Sequence, residues 1–153
     1  MKLQIATNYA VRILLHLYKH EDDVQAATVI AQSTGISYPF FMKIANQLKK
    51  KKLLISVQGR NGGFALGKPI QEISFYDVFL AMEGEMQINP CLNKEDQACT
   101  DDKLDHFLHN LRDKIVAKMS GQLIVDFALC AEQSRVRDLQ DGSHQAQGEE
   151  PDL

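Results

Sequence analysis

The fold of this chain is decided by the segment from Ile30 to Leu66, which reads IAQSTGISYPFFMKIANQLKKKKLLISVQGRNGGFAL. Its first part predicts two short helices with a turn between them at Gly35, because glycine allows the left-handed backbone that such a turn requires. Ser37 is a suitable N-cap for the second helix. That helix ends in four consecutive lysines, 49–52. Two helices in this order are typical of a helix-turn-helix.

A glycine-rich hairpin is predicted directly after these helices. Two strand-like runs, 53–58 and 64–66, flank the sequence 59–63, which contains three glycines. The pair Val24-Gln25 is expected to add a third short strand. Together, the helix pair and the basic hairpin indicate a winged DNA-binding domain in a mainly α fold with a small β-wing.

The rest of the chain predicts a compact domain followed by a long helix. Apolar spacing predicts a first helix within 3–19, a second within 27–33, and a fourth helix from Phe75 to Met82 that Ser74 can cap. We therefore divide the chain into a winged helix-turn-helix domain at 1–83, a loop of the sensor type at 84–102, a dimerisation helix with a shorter C-terminal helix at 103–137, and a disordered tail at 138–153.

The long helix, expected from Lys103 to Ser120, carries one apolar face. Its apolar positions are Leu104, Phe107, Leu108, Leu111, Ile115 and Met119. Their spacing of three to four residues predicts that they lie together, opposite a charged face. We expect a two-fold partner helix to bury them, because winged DNA-binding domains commonly read paired half-sites. The alternative is that the helix folds back onto its own domain.

The charge of the chain is unevenly distributed. The net charge is -3, but residues 1–75 contain ten Lys/Arg and four Asp/Glu, and residues 76–153 contain seven and sixteen. These counts give +6 and -9, so the N-terminal half can face DNA while the acidic half faces away. With no apolar run near the ~20 residues that span a membrane and no leader pattern, we expect a cytoplasmic protein. Three cysteines without a secretory signal argue against a disulfide framework.

The second helix of the motif is expected to face DNA with its polar side, because its apolar residues point inward. Asn46 is suited to hydrogen bonds with adenine, and Met42 to contact with a thymine methyl group. The lysines are suited to phosphate, and Arg60 at the hairpin tip to the minor groove. The predicted DNA-contacting residues are Ser37, Tyr38, Met42, Lys43, Asn46, Lys50, Gln58, Arg60 and Asn61. The alternatives are a solvated lysine run and an incidental arginine.

These residues resemble the Rrf2 family of bacterial winged-helix regulators. The matching pieces are Met1-Lys2-Leu3, Tyr9–Arg12, Ile30-Ala31, Gly35–Ser37, Phe40-Phe41, Lys43-Ile44, Leu48, Ser56-Val57, Gly59, Gly62–Phe64, Ile73-Ser74, Asp77-Val78, Glu83-Gly84, Ile88-Asn89 and Cys91-Leu92. The resemblance covers about residues 1–130. It implies a homodimer that exchanges contacts through the long helix and binds specific promoter sequences.

Three positions depart from the family pattern. Gln58 stands where the family usually has arginine, which puts the operator preference in question. Met42 stands where glutamate is frequent, which removes an acceptor for cytosine. The pair Lys51-Lys52 replaces a small residue and a glycine at the helix exit, and favours nonspecific affinity for phosphate.

The resemblance also implies a possible cluster site, because cluster-binding members carry three loop cysteines and a fourth ligand. Here the loop has Cys91 and Cys99, and the third cysteine is missing. Cys130 lies in the predicted last helix, where a cysteine is often a small buried apolar side chain. Asn8 stands where some members have a carboxylate ligand, and it is a poor ligand for iron.

His106 and His109 lie one helical turn apart and are the candidate additions to Cys91 and Cys99 as metal ligands. Because this ligand set is incomplete, we expect no cofactor and a loop that has lost the cluster role. An iron–sulfur cluster with noncysteine ligands and a redox switch of the two loop thiols are the alternatives.

The sequence thus predicts a sequence-specific DNA-binding transcriptional regulator, most simply a homodimeric repressor. A protein-interaction module whose winged domain binds a metabolic enzyme is the alternative, besides a regulator that senses iron–sulfur or redox state through Cys91 and Cys99. An enzyme is not expected, because the chain carries no phosphate-cradling loop, nucleophile elbow or zinc-protease motif.

Overall fold

The computed structural model describes residues 3–86 and 102–128. The helices are α1 (Ile5–Lys19), α2 (Ala27–Thr34), α3 (Tyr38–Lys50), α4 (Phe75–Met82) and α5 (Asp102–Ser120), and the strands are β1 (Leu54–Val57) and β2 (Gly63–Leu66). A 3-10 turn spans Ile70–Glu72, and residues 124–128 are helical. This mainly helical fold with a two-stranded wing confirms the predicted fold class. No described helix is long and apolar enough to cross a membrane.

Within the described residues, one hydrophobic core holds α1 to α4 and the wing together. Helix α1 buries Ala10, Ile13, Leu14 and Leu17, and α3 buries Phe41, Ile44, Ala45 and Leu48. The rings of Phe41 and Phe64 meet edge to face with their centroids 5.2 Å apart, so α3 is fastened to the wing. This packing fixes which side of α3 remains exposed.

The turn of the helix-turn-helix forms as the sequence predicts. Helix α2 ends at Gly35, whose φ of 73° is left-handed and favours glycine. The side chain of Ser37 then accepts a hydrogen bond from the amide of Phe40 at 3.4 Å, and α3 begins. Both the glycine turn and the serine cap are therefore confirmed.

The wing is an antiparallel hairpin, and one further residue, Gln25, pairs with its second strand. Strands β1 and β2 pair with Leu54 opposite Leu66 and Val57 opposite Gly63. Gln25 joins β2 through two backbone hydrogen bonds with Phe64, of 3.0 and 2.8 Å, as predicted. A Cβ atom at Gly63 would lie 2.2 Å from the carbonyl oxygen of Gln25, so this close approach requires glycine.

The chain returns to the winged domain after α5. Helix α4 begins with a complete capping box, in which Ser74 and Asp77 satisfy each other's backbone amides. The amide of Phe75 donates to Gln122 at 2.7 Å, and Ile124 enters the core with no exposed surface. These contacts anchor the C-terminal end of α5 to the winged domain.

Candidate nucleic-acid interface

The exposed side of α3 carries four of the nine residues predicted to contact DNA. Tyr38 is 50% exposed, and Lys43, Asn46 and Lys50 are exposed as well. Met42 differs from the prediction, because it is half-buried and packs against the core. At about 100° per residue, position 42 lies at the border of the apolar face rather than opposite it. Direct contact of Met42 with a base is therefore restricted.

Ser37 has two uses at the start of α3. Its Oγ atom accepts from the amide of Phe40, and this bond caps the helix. An accepting hydroxyl keeps its own proton, so exposed Ser37 can still donate to a phosphate oxygen.

The exit of α3 contains a strained lysine. After Lys50 the chain turns through Lys52, whose φ of 57° is left-handed and is the only such value among the described non-glycine residues. The amide of Lys52 donates to the carbonyl of Lys49 at 2.9 Å, and the amide of Leu53 to that of Leu48 at 3.0 Å. This pair of bonds is the Schellman ending, which favours glycine at the position of Lys52. A lysine therefore occupies a glycine site beside the predicted DNA-contacting helix.

The wing tip presents polar and cationic side chains to solvent. Gln58, Arg60 and Asn61 are all exposed. The turn closes through a hydrogen bond of 3.0 Å from the amide of Gly62 to the carbonyl of Gly59. Arg60 is thus carried by a closed turn at the end of two paired strands.

The cations of this surface have no acidic partner within the described parts of the chain. The two ion pairs found there join Lys68 to Asp77 at 3.5 Å and Arg112 to Asp113 at 3.2 Å. Lys43, the lysines at 49–52 and Arg60 take part in neither. Unpaired exposed cations are available to displace counterions from phosphate.

Comparison with known proteins decides the family. The sequence model of the Rrf2 family, described as an iron-dependent transcriptional regulator, matches residues 3–127. This chain belongs to the Rrf2 family. The resemblance seen in the sequence is thereby confirmed.

Two curated relatives and one solved structure illustrate the relationship. The protein aau3 of Rhizobium meliloti is 33% identical over 99 residues, which cover 65% of this chain and 64% of that protein. The HTH-type transcriptional regulator NsrR of Shouchella clausii is 32% identical over 102 residues, covering 65% and 67%. The chain therefore aligns with less than two thirds of the first of these relatives. The global cysteine regulator CymR of B. subtilis, at 22% identity, shares the fold with a TM-score of 0.66 over 84% of this chain and 96% of that one.

In this Rrf2 protein, helix α5 displays part of its apolar face to solvent. Leu104 is 53% exposed, Phe107 61% and Leu111 38%. The other predicted dimerisation residues, Leu108, Ile115 and Met119, are half-buried. The helix contacts α4 of its own chain, so its apolar face is only partly covered.

The iron named in the family description has no complete site in the described residues. Cys91 and Cys99 lie outside them. His109 donates through Nδ1 to the carbonyl of Asp105 at 2.9 Å, and His106 is exposed, with Nδ1 at 3.1 Å from Asn110. Within residues 3–86 and 102–128 no three histidine, cysteine or acidic side chains form a group that could hold a metal ion. These residues alone do not fit an iron or cluster site.

A contact between α1 and the end of α4 could not be predicted from the sequence patterns. The carboxylate of Glu83 accepts from the amide of Gln4 at 2.8 Å and from the hydroxyl of Thr7, which is buried. Glu83 directly follows α4 and lies 76 residues from Thr7. No local signal in the sequence marks such a pair.

Proposed function

We propose that this Rrf2 protein is a cytoplasmic, homodimeric transcriptional regulator that binds double-stranded DNA and represses its target promoters, without a catalytic role. The observation that carries the proposal is the shared exposure of α3 and the wing tip, whose cations have no acidic partner among the described residues. The similarity to NsrR of Shouchella clausii, an HTH-type transcriptional regulator, supports it.

Helix α3 supplies two kinds of contact in this proposal. Asn46 is exposed and can bond to N6 and N7 of adenine, which reads sequence. Lys43 and Lys50 are exposed cations that bond to phosphate and position the helix without reading it. Arg60 at the wing tip adds a contact with the minor groove of the DNA or with the phosphates beside it.

The dimer is proposed from the exposed apolar face of α5. Phe107 is 61% exposed, and burying such a large apolar side chain against a second copy lowers the free energy of the assembly. A two-fold dimer also presents two α3 helices to two half-sites, which raises the affinity for a palindromic operator. A dimer bound over a promoter would exclude RNA polymerase, and this is the simplest route to repression.

The test measures fluorescence anisotropy on two duplexes at one salt concentration. One duplex covers the region upstream of the protein's own gene, and the other has the same composition in scrambled order. We expect tighter binding to the first. Asn46→Ala should reduce the difference in binding free energy between the two duplexes by about 1–3 kcal/mol. Lys50→Ala should weaken binding to both duplexes equally.

Asn110→Ala is the matched control, because Asn110 is an exposed asparagine on α5. It should change neither affinity. Equal losses on both duplexes for Asn46→Ala would overturn its role as the sequence reader. Absence of binding to either duplex at low salt would contradict the proposed function itself.

A further inference from the structure

The C-terminal end of α1 carries two histidines that the DNA-binding surface does not use. His16 and His20 are one helical turn apart, and their ring centroids are separated by 4.8 Å at an interplanar angle of 48°. His16 is half-buried, while His20 is exposed. Side chains four residues apart lie on one face of a helix, so both rings are directed to the same side.

The hydroxyl of Ser33 lies within hydrogen-bond distance of both His16 and the carbonyl of Ile30. The Ser33 hydroxyl donates its single proton to the carbonyl of Ile30, at 3.1 Å. It also lies 3.0 Å from His16 Nδ1. In the tautomer with its proton on Nδ1, His16 donates to the Ser33 oxygen, and Nε2 carries a free lone pair.

Nε2 of His16 is buried and has no hydrogen-bond partner. Burial, followed by the nearby charges of His20 and Lys19, lowers the pKa of His16 below its usual value. Nδ1 faces Ser33, so Nε2 is the ring nitrogen left for another ligand. Metal-binding histidines commonly have this arrangement, in which the other ring nitrogen donates to an oxygen and fixes the tautomer.

We propose that Nε2 of His16 and the imidazole of His20 form a two-histidine site for a divalent transition-metal ion of the nickel, copper or zinc class. Imidazole suits these ions, which lie about 2.1 Å from the nitrogen. The exposed His20 side chain turns toward the ion, and water supplies the remaining ligands. Ser33 is the positioning residue, because it acts through His16.

Two neighbouring features support this assignment. Residues 21–23 are three consecutive acids directly after His20, all exposed, and they raise the local concentration of cations. The bond between His16 and Ser33 joins α1 to α2, the first helix of the helix-turn-helix. An ion bound to His16 and His20 would therefore stabilise the folded domain, because the folded state holds His16 against Ser33 and close to His20.

The experiment titrates Ni²⁺ and, separately, Zn²⁺ into the full chain by calorimetry. Cys91, Cys99 and Cys130 are replaced by serine in every sample, because thiolates bind the same ions. We expect one saturable site and a higher midpoint of thermal unfolding when the ion is present. His20→Ala should weaken binding by about tenfold or more and reduce the thermal shift, and Ser33→Ala should weaken binding about tenfold.

The matched control replaces the second histidine pair, His106 and His109, by alanine on α5. It should bind with the affinity of the parent. His20 is exposed, so its replacement leaves the fold intact, and circular dichroism confirms this in each variant. Unchanged binding in His20→Ala would overturn the site, as would loss of binding in the α5 control or no saturable binding in the parent.

Discussion

Helices α3 and α5 are both amphipathic, yet the apolar face of α3 is buried while part of the apolar face of α5 is exposed. The apolar face of α3, formed by Phe41, Ile44, Ala45 and Leu48, has no exposed surface. The apolar face of α5 includes Leu104, Phe107 and Leu111, which are 53, 61 and 38% exposed. In α3 the polar side faces solvent with its cations, whereas in α5 solvent reaches the apolar side.

The difference teaches that one sequence pattern can serve two purposes. Helix α3 packs against α1, α2, β1 and α4, so its apolar face is buried within the chain and its polar face remains exposed. Helix α5 packs against α4 and leaves large apolar side chains outside. We therefore expect changes in α5 to affect association and changes within the winged domain to affect folding or DNA binding.

The largest effect is expected from a charge on the apolar face of α5. Phe107→Glu or Leu111→Glu should convert dimers into monomers, because burying an unpaired carboxylate costs several kcal/mol. Sedimentation at low micromolar concentration measures this. Ala117→Glu adds the same charge at an exposed position on the other side of α5 and should remain dimeric. Dimers that persist in both apolar-face variants would show that α5 is not the interface.

A smaller effect, on folding alone, is expected inside the winged domain. Glu83→Ala leaves the buried hydroxyl of Thr7 without its acceptor, which should lower the free energy of unfolding by about 1–3 kcal/mol. Chemical denaturation measures the loss, and sedimentation should remain unchanged. Glu85→Ala, at an exposed acid nearby, is the control.

The double variant Thr7→Val/Glu83→Ala tests the cause of that loss. Valine has the shape of threonine without the hydroxyl, so part of the lost stability should return. If the double variant is less stable than Glu83→Ala, the unpaired hydroxyl is not the reason.

The strained exit of α3 predicts a trade between stability and DNA affinity. Lys52→Gly should raise the free energy of unfolding by about 1 kcal/mol, because glycine adopts a φ of 57° without the steric cost of a side chain. It should also weaken binding to all duplexes, since a cation is lost. Lys52→Ala removes the same charge and keeps the strain, so it should lose affinity without gaining stability. A midpoint of unfolding that is equal in both variants would exclude the strain.

Local signals explain why the winged domain could be predicted from the sequence. The turn at Gly35, the cap at Ser37 and the spacing of apolar residues each act within a few residues, and the structure confirms them. The sequence also predicts that Val24-Gln25 pairs with the wing as a third short strand, and the structure confirms the pairing of Gln25.

Contacts between distant segments explain what the sequence could not show. The bond between Thr7 and Glu83 and the entry of Ile124 into the core depend on tertiary packing, for which no local pattern exists. The sequence predicts Met42 on the exposed side of α3, but the structure half-buries it. A position about 100° around the helix from the apolar face can be either buried or exposed, so the spacing alone does not decide its burial. The exposure of Phe107 is also visible only in the structure.

The most direct test of the contrast between the two regions removes one cation from each. Arg60 lies at the exposed wing tip, and Lys118 is exposed on α5. The affinity for DNA is measured at several salt concentrations for the parent, Arg60→Ala and Lys118→Ala. We predict that Arg60→Ala lowers the slope of log affinity against log salt by about one unit, as loss of one phosphate contact does, while Lys118→Ala leaves the slope unchanged. An unchanged slope in Arg60→Ala, or an equal decrease in both variants, would contradict the assignment of the DNA surface to α3 and the wing.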